Sequence, residues 1–307
     1  ISIKLSGLTK NDEVLIPAYT YCATALSCLR MELNIKWIDI NEESFCISLE
    51  SIKKAFTKKT KAIIAVHLYG MIIEDIDKIQ KFCEENNIIL IEDCAQSLGA
   101  YHHTGKSAGD FGDFSCFSFH SQKNLSTLGE GGIISFKDDN MVKRISSLRI
   151  NGHAPFLNKE EYWLPAMTNV ILDESWELPL KSTMTELQAA VGIKLLDRID
   201  EMLAIRKTYA KKIKEGLSSI KTLIFQKAKY ESSHSYHLMP IRVKSNRYSR
   251  DQFISYLSTK YKIKAIIQYY PLNNYDLFKK FGKNAGETPI TQECFDSILS
   301  IPFSPEF

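Results

Sequence analysis

Lys123 is the residue whose type and position could carry covalent chemistry. It follows an apolar, strand-like run at 116–119 and precedes the glycine-rich stretch 128–132, which lets the backbone turn sharply back into another strand. A lysine buried beside an apolar sheet has a lowered pKa, and its neutral amine attacks carbonyl groups. The alternative is a surface lysine on a loop, which the spacing alone favours.

Asp93 could carry chemistry of a second kind. It directly follows the apolar run 88–92, where an aspartate commonly caps the next helix. A carboxylate at that place would also keep the nitrogen of a pyridine ring protonated, so that the ring accepts electrons. On sequence physics alone the two interpretations are about even.

Short apolar runs, rich in β-branched residues, alternate with amphipathic stretches in the first half of the chain. The runs predict six strands, at 14–16, 35–40, 62–67, 88–92, 116–119 and 133–136. The clearest helical spacing lies at 72–86. This alternation predicts a mostly parallel sheet covered by helices on both faces, whose ligands bind at the carboxyl ends of the strands. His67, Asp93, Gln96 and Lys123 all follow predicted strand ends.

The pattern changes after residue 150. Residues 150–184 contain prolines and show no sustained period, which is typical of a functional loop. Thr185 and Gln188 have the spacing of a capping box, and the apolar residues behind them predict a long helix with a candidate interruption near Gly192.

A smaller α+β unit is predicted beyond residue 216. Its elements are a strand at 236–243, a helix at Arg250–Tyr261 and a strand at 263–269. We therefore predict a large domain at 1–190, followed at 191–307 by a bridging helix and a small domain.

Several stretches together resemble the DegT-type sugar aminotransferases, fold type I enzymes that use pyridoxal 5′-phosphate (PLP). They read DEVLIPAYTY (12–21), KAIIAVHLYG (61–70), IEDCAQS (91–97), GDFSCFSFHSQKNL (112–125) and MTELQAA (184–190), and 299–305 resembles the family's carboxyl-terminal region. They occur in the family's order and spacing and together cover essentially the whole chain. The resemblance implies an α/β, mostly parallel central sheet flanked by helices, with a smaller C-terminal α+β domain.

The resemblance implies roles for the residues at the strand ends. Lys123 matches the lysine that binds PLP covalently and then moves protons between the cofactor's C4′ and the substrate carbon. Asp93 matches the partner of the pyridine nitrogen, and Gln96 resembles the residue near the ring oxygen O3′.

Three more residues are assigned to the cofactor in the same way. Tyr21 and Ala95 would cover the two ring faces, Tyr21 by stacking, although core packing is preferred for Tyr21 without the resemblance. Ser118 matches a hydroxyl that contacts the phosphate. His67 and His120 lie beside matched motifs, but a histidine at a strand end is more often structural, so neither is assigned a role.

The sequence departs from the family at the phosphate and at the sugar. The family's Gly-Thr-Ala turn, an anion site at a helix N-terminus, should lie just before residue 1, so that residues 1–5 are the remaining turns of that helix. Lys181 stands where the family usually has an Asn that reaches the phosphate of the neighbouring subunit, and it could act as a point charge. Residues 268–273 lack histidines that relatives often carry near the sugar, and Asn151 stands at a position that is commonly His. Substrate details therefore do not transfer.

The resemblance implies transfer of an amino group from an amino acid, expected to be glutamate, to a nucleotide-linked keto-deoxy sugar of a polysaccharide or antibiotic pathway. The enzyme would be a homodimer with shared active sites. Related sugar dehydratases have His where this chain has Lys123, which favours transamination. A non-catalytic or regulatory relative on the same scaffold is the alternative from another class, and an intact Lys123 and Asp93 argue against it.

Composition excludes several other classes. The 307 residues carry 39 basic and 36 acidic side chains, a net charge of +3, which argues against nucleic acid as a partner. The longest uncharged run, 14–29, is too short and too polar to span a bilayer, so we expect no membrane insertion. Seven scattered cysteines without metal spacing predict reduced thiols in a cytoplasmic protein. Residue 1 is Ile and no signal peptide follows, so we expect that further residues precede it.

Overall fold

A computed structural model describes residues 1–153, 170, 178–227, 234–283 and 285–304. Six strands form its larger sheet: β1 (Glu13–Pro17), β2 (Asn34–Ile38), β3 (Thr60–Val66), β4 (Ile89–Asp93), β5 (Phe114–Ser118) and β6 (Gly132–Phe136). Their order is β2-β1-β3-β4-β5-β6, and every neighbouring pair is parallel except β5 with β6. All six predicted strands are confirmed, each to within two residues at either end.

Helices follow most of these strands. They are α1 (Ser2–Leu5), α2 (Cys22–Arg30), α3 (Leu49–Ala55), α4 (Ile76–Asn86), α5 (Met141–Leu148), α6 (Glu186–Leu196), α7 (Ile199–Gly216), α8 (Arg250–Tyr261), α9 (Asp276–Lys280) and α10 (Pro289–Ser297). The central strands β3 and β4 contain the apolar runs 62–66 and 89–91, as is typical of strands inside a parallel sheet that is flanked by helices. The predicted α/β architecture is therefore present.

A second sheet lies in the C-terminal part. It has three antiparallel strands, β7 (Leu223–Phe225), β8 (Met239–Val243) and β9 (Ile298–Ile301), in the order β7-β8-β9. The predicted strand at 263–269 is wrong, because in this stretch only Ile266 pairs, through a single bridge to Ser300 of β9. This bridge lies on the outer edge of β9, and on either side of it 263–269 is an extended connection.

The helical part of the second half also differs from expectation. The predicted long helix is two helices, and the break falls at Asp197 and Arg198 rather than at Gly192. Gly192 lies within α6, where an added Cβ would come 2.9 Å from the Thr127 methyl, so the glycine permits close packing against that loop. The predicted loop 150–184 lies largely outside the described residues.

The main core extends into the C-terminal part of the chain. Leu272, Phe278 and Cys294 are buried in the same cluster as the larger sheet, and the Phe278 ring packs edge-on against Trp37 of β2 at 5.1 Å. The Leu272 N–H donates to the carbonyl of Ala18, just after β1, at 2.8 Å. Leu272, Phe278 and Cys294 are thus anchored on the larger sheet, whereas the domain boundary at residue 190 stays a prediction. Among the described helices, none has the length and apolar composition needed to cross a membrane.

Candidate active site

Asp93 is the last residue of β4 and its side chain is held by two donors. The Thr24 hydroxyl of α2 donates to Oδ2 at 2.7 Å, and the Ala95 N–H donates to Oδ1 at 3.1 Å. Residues 94–99 form turns rather than a helix, so the helix-cap interpretation of Asp93 is wrong. The carboxylate is oriented at the carboxyl edge of the sheet, next to the end of β5.

Lys123 lies five residues beyond β5 in a turn, where its N–H donates to the carbonyl of His120 at 2.9 Å. Its side chain is partly buried. Burial lowers the pKa of the Lys123 amine, and the negative charge of Asp93 opposes this without cancelling it. The structure thus brings Lys123 and Asp93 within electrostatic range of each other and favours the neutral, nucleophilic amine more than solvent would.

The glycine-rich stretch after Lys123 closes the loop that carries it. The Ser121 N–H donates to the Gly129 carbonyl at 2.9 Å, and the Thr127 N–H donates to the Phe119 carbonyl at 3.0 Å. Gly129 has a φ of +113°, which other residues rarely adopt, and an added Cβ at Gly131 would lie 2.0 Å from the Thr127 hydroxyl. Glycine is needed at both positions for this backbone.

Two residues beside Lys123 were not predicted. The amide of buried Asn124 donates to the Ser235 carbonyl at 3.3 Å, and its oxygen lies 3.4 Å from Nδ1 of His237. Burial lowers the pKa of His237 well below its ordinary value, and the charges of Lys123 and Arg206 lower it further. His237 is therefore a neutral side chain beside the lysine loop, more than 100 residues away in sequence.

Gln96 is buried and its amide orientation is defined by two partners. Its Oε1 accepts the Tyr69 N–H at 2.6 Å, and its Nε2 donates to the Tyr269 hydroxyl. Because Nε2 carries two hydrogens, one remains for a ligand. Tyr269 was not predicted, and it lies on the extended connection that was mistaken for a strand.

The other predicted cofactor residues lie around this edge. Tyr21, immediately before α2, is 59% exposed, so it is not the core aromatic that the sequence alone favoured. It lies within electrostatic range of Tyr269. Ala95 is partly buried between Asp93 and Gln96. Ser118 ends β5, and its Oγ accepts the His120 N–H at 3.3 Å.

Lys181, the remaining predicted cofactor residue, is exposed. Its backbone bridges Ile150 after α5, and its side chain makes no hydrogen bond or ion pair with the part of the chain that the structure describes. Within the described part of one chain, no hydrogen bond or ion pair joins Lys181 to Lys123 or Asp93.

His67 belongs to a buried structural network. Its Nδ1 accepts the Ile73 N–H at 3.1 Å and its Nε2 lies 2.8 Å from Glu92. Glu92 also accepts N–H groups from Gly109, Phe111 and Gly112. Burial raises the pKa of Glu92, but His67 and these N–H groups together bring it below the ordinary value. Although Cys94 lies close enough to complete a three-ligand cluster, both ring nitrogens of His67 are already engaged.

The donor chemistry of this edge fits PLP. The carboxylate of Asp93 suits a protonated ring nitrogen, and the Lys123 amine suits the aldehyde carbon. The solvent-exposed ring of Tyr21 suits stacking on the pyridine ring of PLP. The Ser118 hydroxyl suits a phosphate oxygen, because its hydrogen has no acceptor within the described ranges.

The chain matches one protein family over its whole length. The family described as the DegT/DnrJ/EryC1/StrS aminotransferase family matches residues 1–307. An uncharacterised protein of Methanocaldococcus jannaschii is 30% identical over 309 residues, which cover 100% of this chain and 78% of that protein. The GDP-perosamine synthase of Vibrio cholerae is 28% identical over 306 residues, 99% of this chain and 78% of that enzyme.

A Streptococcus pneumoniae protein has a similar solved structure in two forms. Its PLP form superposes with a TM-score of 0.82 at 25% identity, covering 100% of this chain and 79% of that chain. Its PMP form gives a TM-score of 0.84 at 26% identity, covering 100% of this chain and 80% of that chain.

Proposed function

Because the chain belongs to the DegT/DnrJ/EryC1/StrS aminotransferase family, we propose that it moves an amino group from glutamate to a nucleotide-linked keto-deoxy sugar. The protein is a PLP-dependent sugar aminotransferase. The observation that supports the assignment most directly is that Lys123, whose pKa is lowered, lies within electrostatic range of Asp93, at the edge where the adjacent strands β4 and β5 end.

The residues that would hold PLP are those at the carboxyl edge of the sheet. Asp93 would bind the ring nitrogen, Gln96 the ring oxygen and Ser118 the phosphate. Tyr21 and Ala95 would cover the two ring faces. Bound PLP supplies an electron sink for a carbanion next to nitrogen and a carrier for the amino group between the two half-reactions.

Lys123 moves protons in both half-reactions. With PLP bound, the neutral ε-amine of Lys123 would take a proton from the α-carbon of the amino acid and would deliver one to the cofactor's C4′. In the half-reaction with the keto sugar, the direction of proton transfer by Lys123 would be reversed. The lowered pKa supports this role, because a base is effective only in its unprotonated form.

The proposed acceptor is a nucleotide-linked sugar because of the named relative. The Vibrio cholerae enzyme, similar over 99% of this chain, is named for the synthesis of a GDP-linked aminosugar. The dehydratase alternative is disfavoured because this chain has a lysine at position 123. The regulatory alternative is disfavoured because Asp93 and Lys123 are brought together, which a binding protein does not require.

We propose a homodimer with shared sites, which the exposed apolar face of α6 supports. No residue of α6 is buried in the single chain, and Leu187 and Ile193 are 68% and 62% exposed. Ile133 on edge strand β6 is 55% exposed as well. Apolar side chains at this density usually mark an interface.

All seven cysteines are free thiols, which supports a reducing, cytoplasmic location.

The proposal predicts that PLP is attached to Lys123. Borohydride reduction of the PLP-loaded protein should bleach its visible absorbance and leave one pyridoxyl group, which mass spectrometry should locate on the peptide containing Lys123. Lys123→Ala should show no such adduct, and Lys137→Ala serves as the matched control. An adduct on another lysine of the native protein would contradict the assignment.

The substrates can be tested with the same chromophore. Glutamate should convert the PLP form to the PMP form faster than aspartate or alanine does. A GDP-, dTDP- or UDP-linked keto-deoxy sugar should then restore the visible band. If none of these sugars does so while 2-oxoglutarate does, the proposed acceptor class is wrong.

A further inference from the structure

Tyr269 places a hydroxyl beside Gln96 at the candidate site. The Gln96 Nε2 donates to this hydroxyl, while the Gln96 Oε1 is occupied by the Tyr69 N–H at 2.6 Å. The Tyr69 contact excludes the flipped amide, because flipping would set the Nε2 donor of Gln96 against the N–H donor of Tyr69. The Tyr269 oxygen is therefore an acceptor toward Gln96.

The hydrogen of the Tyr269 hydroxyl is available for a ligand. It has no acceptor among residues 1–153, 170, 178–227, 234–283 and 285–304. Burial raises the pKa of Tyr269, the hydrogen bond from Gln96 lowers it by less, and the charge of Asp93 raises it further. Tyr269 thus stays protonated at neutral pH and can donate.

The position of the Tyr269 ring is set by packing on both sides. The ring meets Tyr19 edge-on at 6.0 Å and lies tilted against Tyr69 at 5.8 Å. The connection that carries it is attached to β9 by the Ile266–Ser300 bridge and to the end of β1 by the Leu272 N–H. The hydroxyl is therefore held in one position before a ligand binds.

We propose that Tyr269 is a further cofactor-binding residue, whose hydroxyl donates to the phenolic oxygen O3′ of PLP together with the remaining N–H of Gln96. The inference rests on the proposed function, because that assigns PLP to this edge and Gln96 to O3′. A phenolate oxygen accepts two donors, and two donors held next to each other match one such oxygen. Withdrawing electron density from O3′ lowers the proton affinity of the imine nitrogen that Lys123 forms with the cofactor.

The test is a pH titration of the visible absorbance in PLP-loaded Tyr269→Phe. Loss of the donor should raise the midpoint of this absorbance titration, which is the pKa of the imine nitrogen, by about one pH unit. The free energy of a hydrogen bond to a charged oxygen is at least as large as the free energy of a one-unit pKa shift. Tyr19→Phe is the matched control, because its hydroxyl bonds that of Tyr69 at 3.1 Å rather than Gln96, and it should keep the native midpoint. A native midpoint in Tyr269→Phe would overturn the inference.

A second comparison separates direct donation from an effect through Gln96. Tyr269→Phe should raise the midpoint again when it is added to Gln96→Leu, because the hydroxyl still donates. No further change in the double variant would show that Tyr269 only orients Gln96, which overturns the inference. If native protein bound no PLP at Lys123, the proposed function itself would fail, whereas loading at Lys123 without the Tyr269 effect leaves that function intact.

Discussion

Two opposed effects determine the pKa of the Lys123 amine and therefore its reactivity. Burial lowers the pKa of its amine and the charge of Asp93 raises it, and burial is the larger effect. Asp93 in turn is oriented by Thr24 and by the Ala95 N–H, neither of which carries a charge. The acid and the amine can therefore act on opposite ends of a bound ring without forming a direct ion pair.

The Asp93→Asn variant tests whether Asp93 is the partner of the cofactor's ring nitrogen. The variant should retain PLP, because the other contacts remain, but its half-reaction with glutamate should slow by about 10²-fold or more, since the developing carbanion loses its charged counterpart. Single-turnover absorbance measures that rate. Asp110→Asn, on an exposed turn, should react at the native rate. If Asp93→Asn reacted at the native rate, the proposed role of Asp93 in the reaction would be wrong.

Helix α6 connects the lysine loop to the proposed subunit interface. Thr185 and Gln188 form the predicted capping box, and the Gln188 amide also donates to the Glu130 carbonyl at 2.8 Å. Gly192 lets the next turn approach Thr127. One side of α6 thus supports the loop after Lys123, while its apolar side chains face outward.

Ile193→Glu tests this element. A carboxylate placed in an apolar interface loses hydration, so the dimer should weaken by about 100-fold or more. Light scattering across a dilution series measures the change. Ile220→Glu is the control, because Ile220 is 44% exposed in the turn before β7 and should leave assembly unchanged. An unaltered dimer in Ile193→Glu would place the interface elsewhere.

The whole molecule joins its two sheets through contacts distant in sequence. Asp39, just after β2, accepts the N–H groups of Ile290 and Thr291 at the start of α10, at 2.8 and 2.7 Å. The buried guanidinium of Arg242 on β8 donates to the carbonyl of Glu42 and binds the Glu293 carboxylate at 2.7 Å. The connection that carries Tyr269 is itself attached to β9 at Ser300 and to Ala18 after β1, so its position depends on both sheets.

Lys181 tests whether two molecules share a site. If it reaches the partner's phosphate, Lys181→Ala should weaken PLP retention about tenfold, the loss expected for one charge-assisted contact. Equilibrium dialysis measures this, and Lys53→Ala, at an exposed lysine on α3, should retain PLP normally.

Mixed dimers then locate the contact. A heterodimer of Lys181→Ala and Lys123→Ala subunits would have one site with both defects and one with neither, so activity should return at limiting PLP. An inactive mixture, with heterodimers verified by native mass spectrometry, would show that Lys181 does not act across subunits.

The sequence by itself determined the larger sheet and the ends of its strands. Buried strands inside a parallel sheet are rich in apolar residues, so the apolar runs within β3 and β4 were visible without a structure. Parallel strands end at one edge, which placed Asp93 and the loop of Lys123 together. The capping box at Thr185 was equally visible, because its partners are three residues apart.

Only the tertiary structure decided which distant residues complete the site. Residues 263–269 have the composition of a strand, but they pair with β9 only at Ile266, and the stretch forms the connection that brings Tyr269 to Gln96. His237 reaches Asn124 in the same way, across 113 positions of sequence. Local periodicity reports the burial of an element's own residues, whereas contacts like these depend on how separate elements pack, which no local pattern encodes.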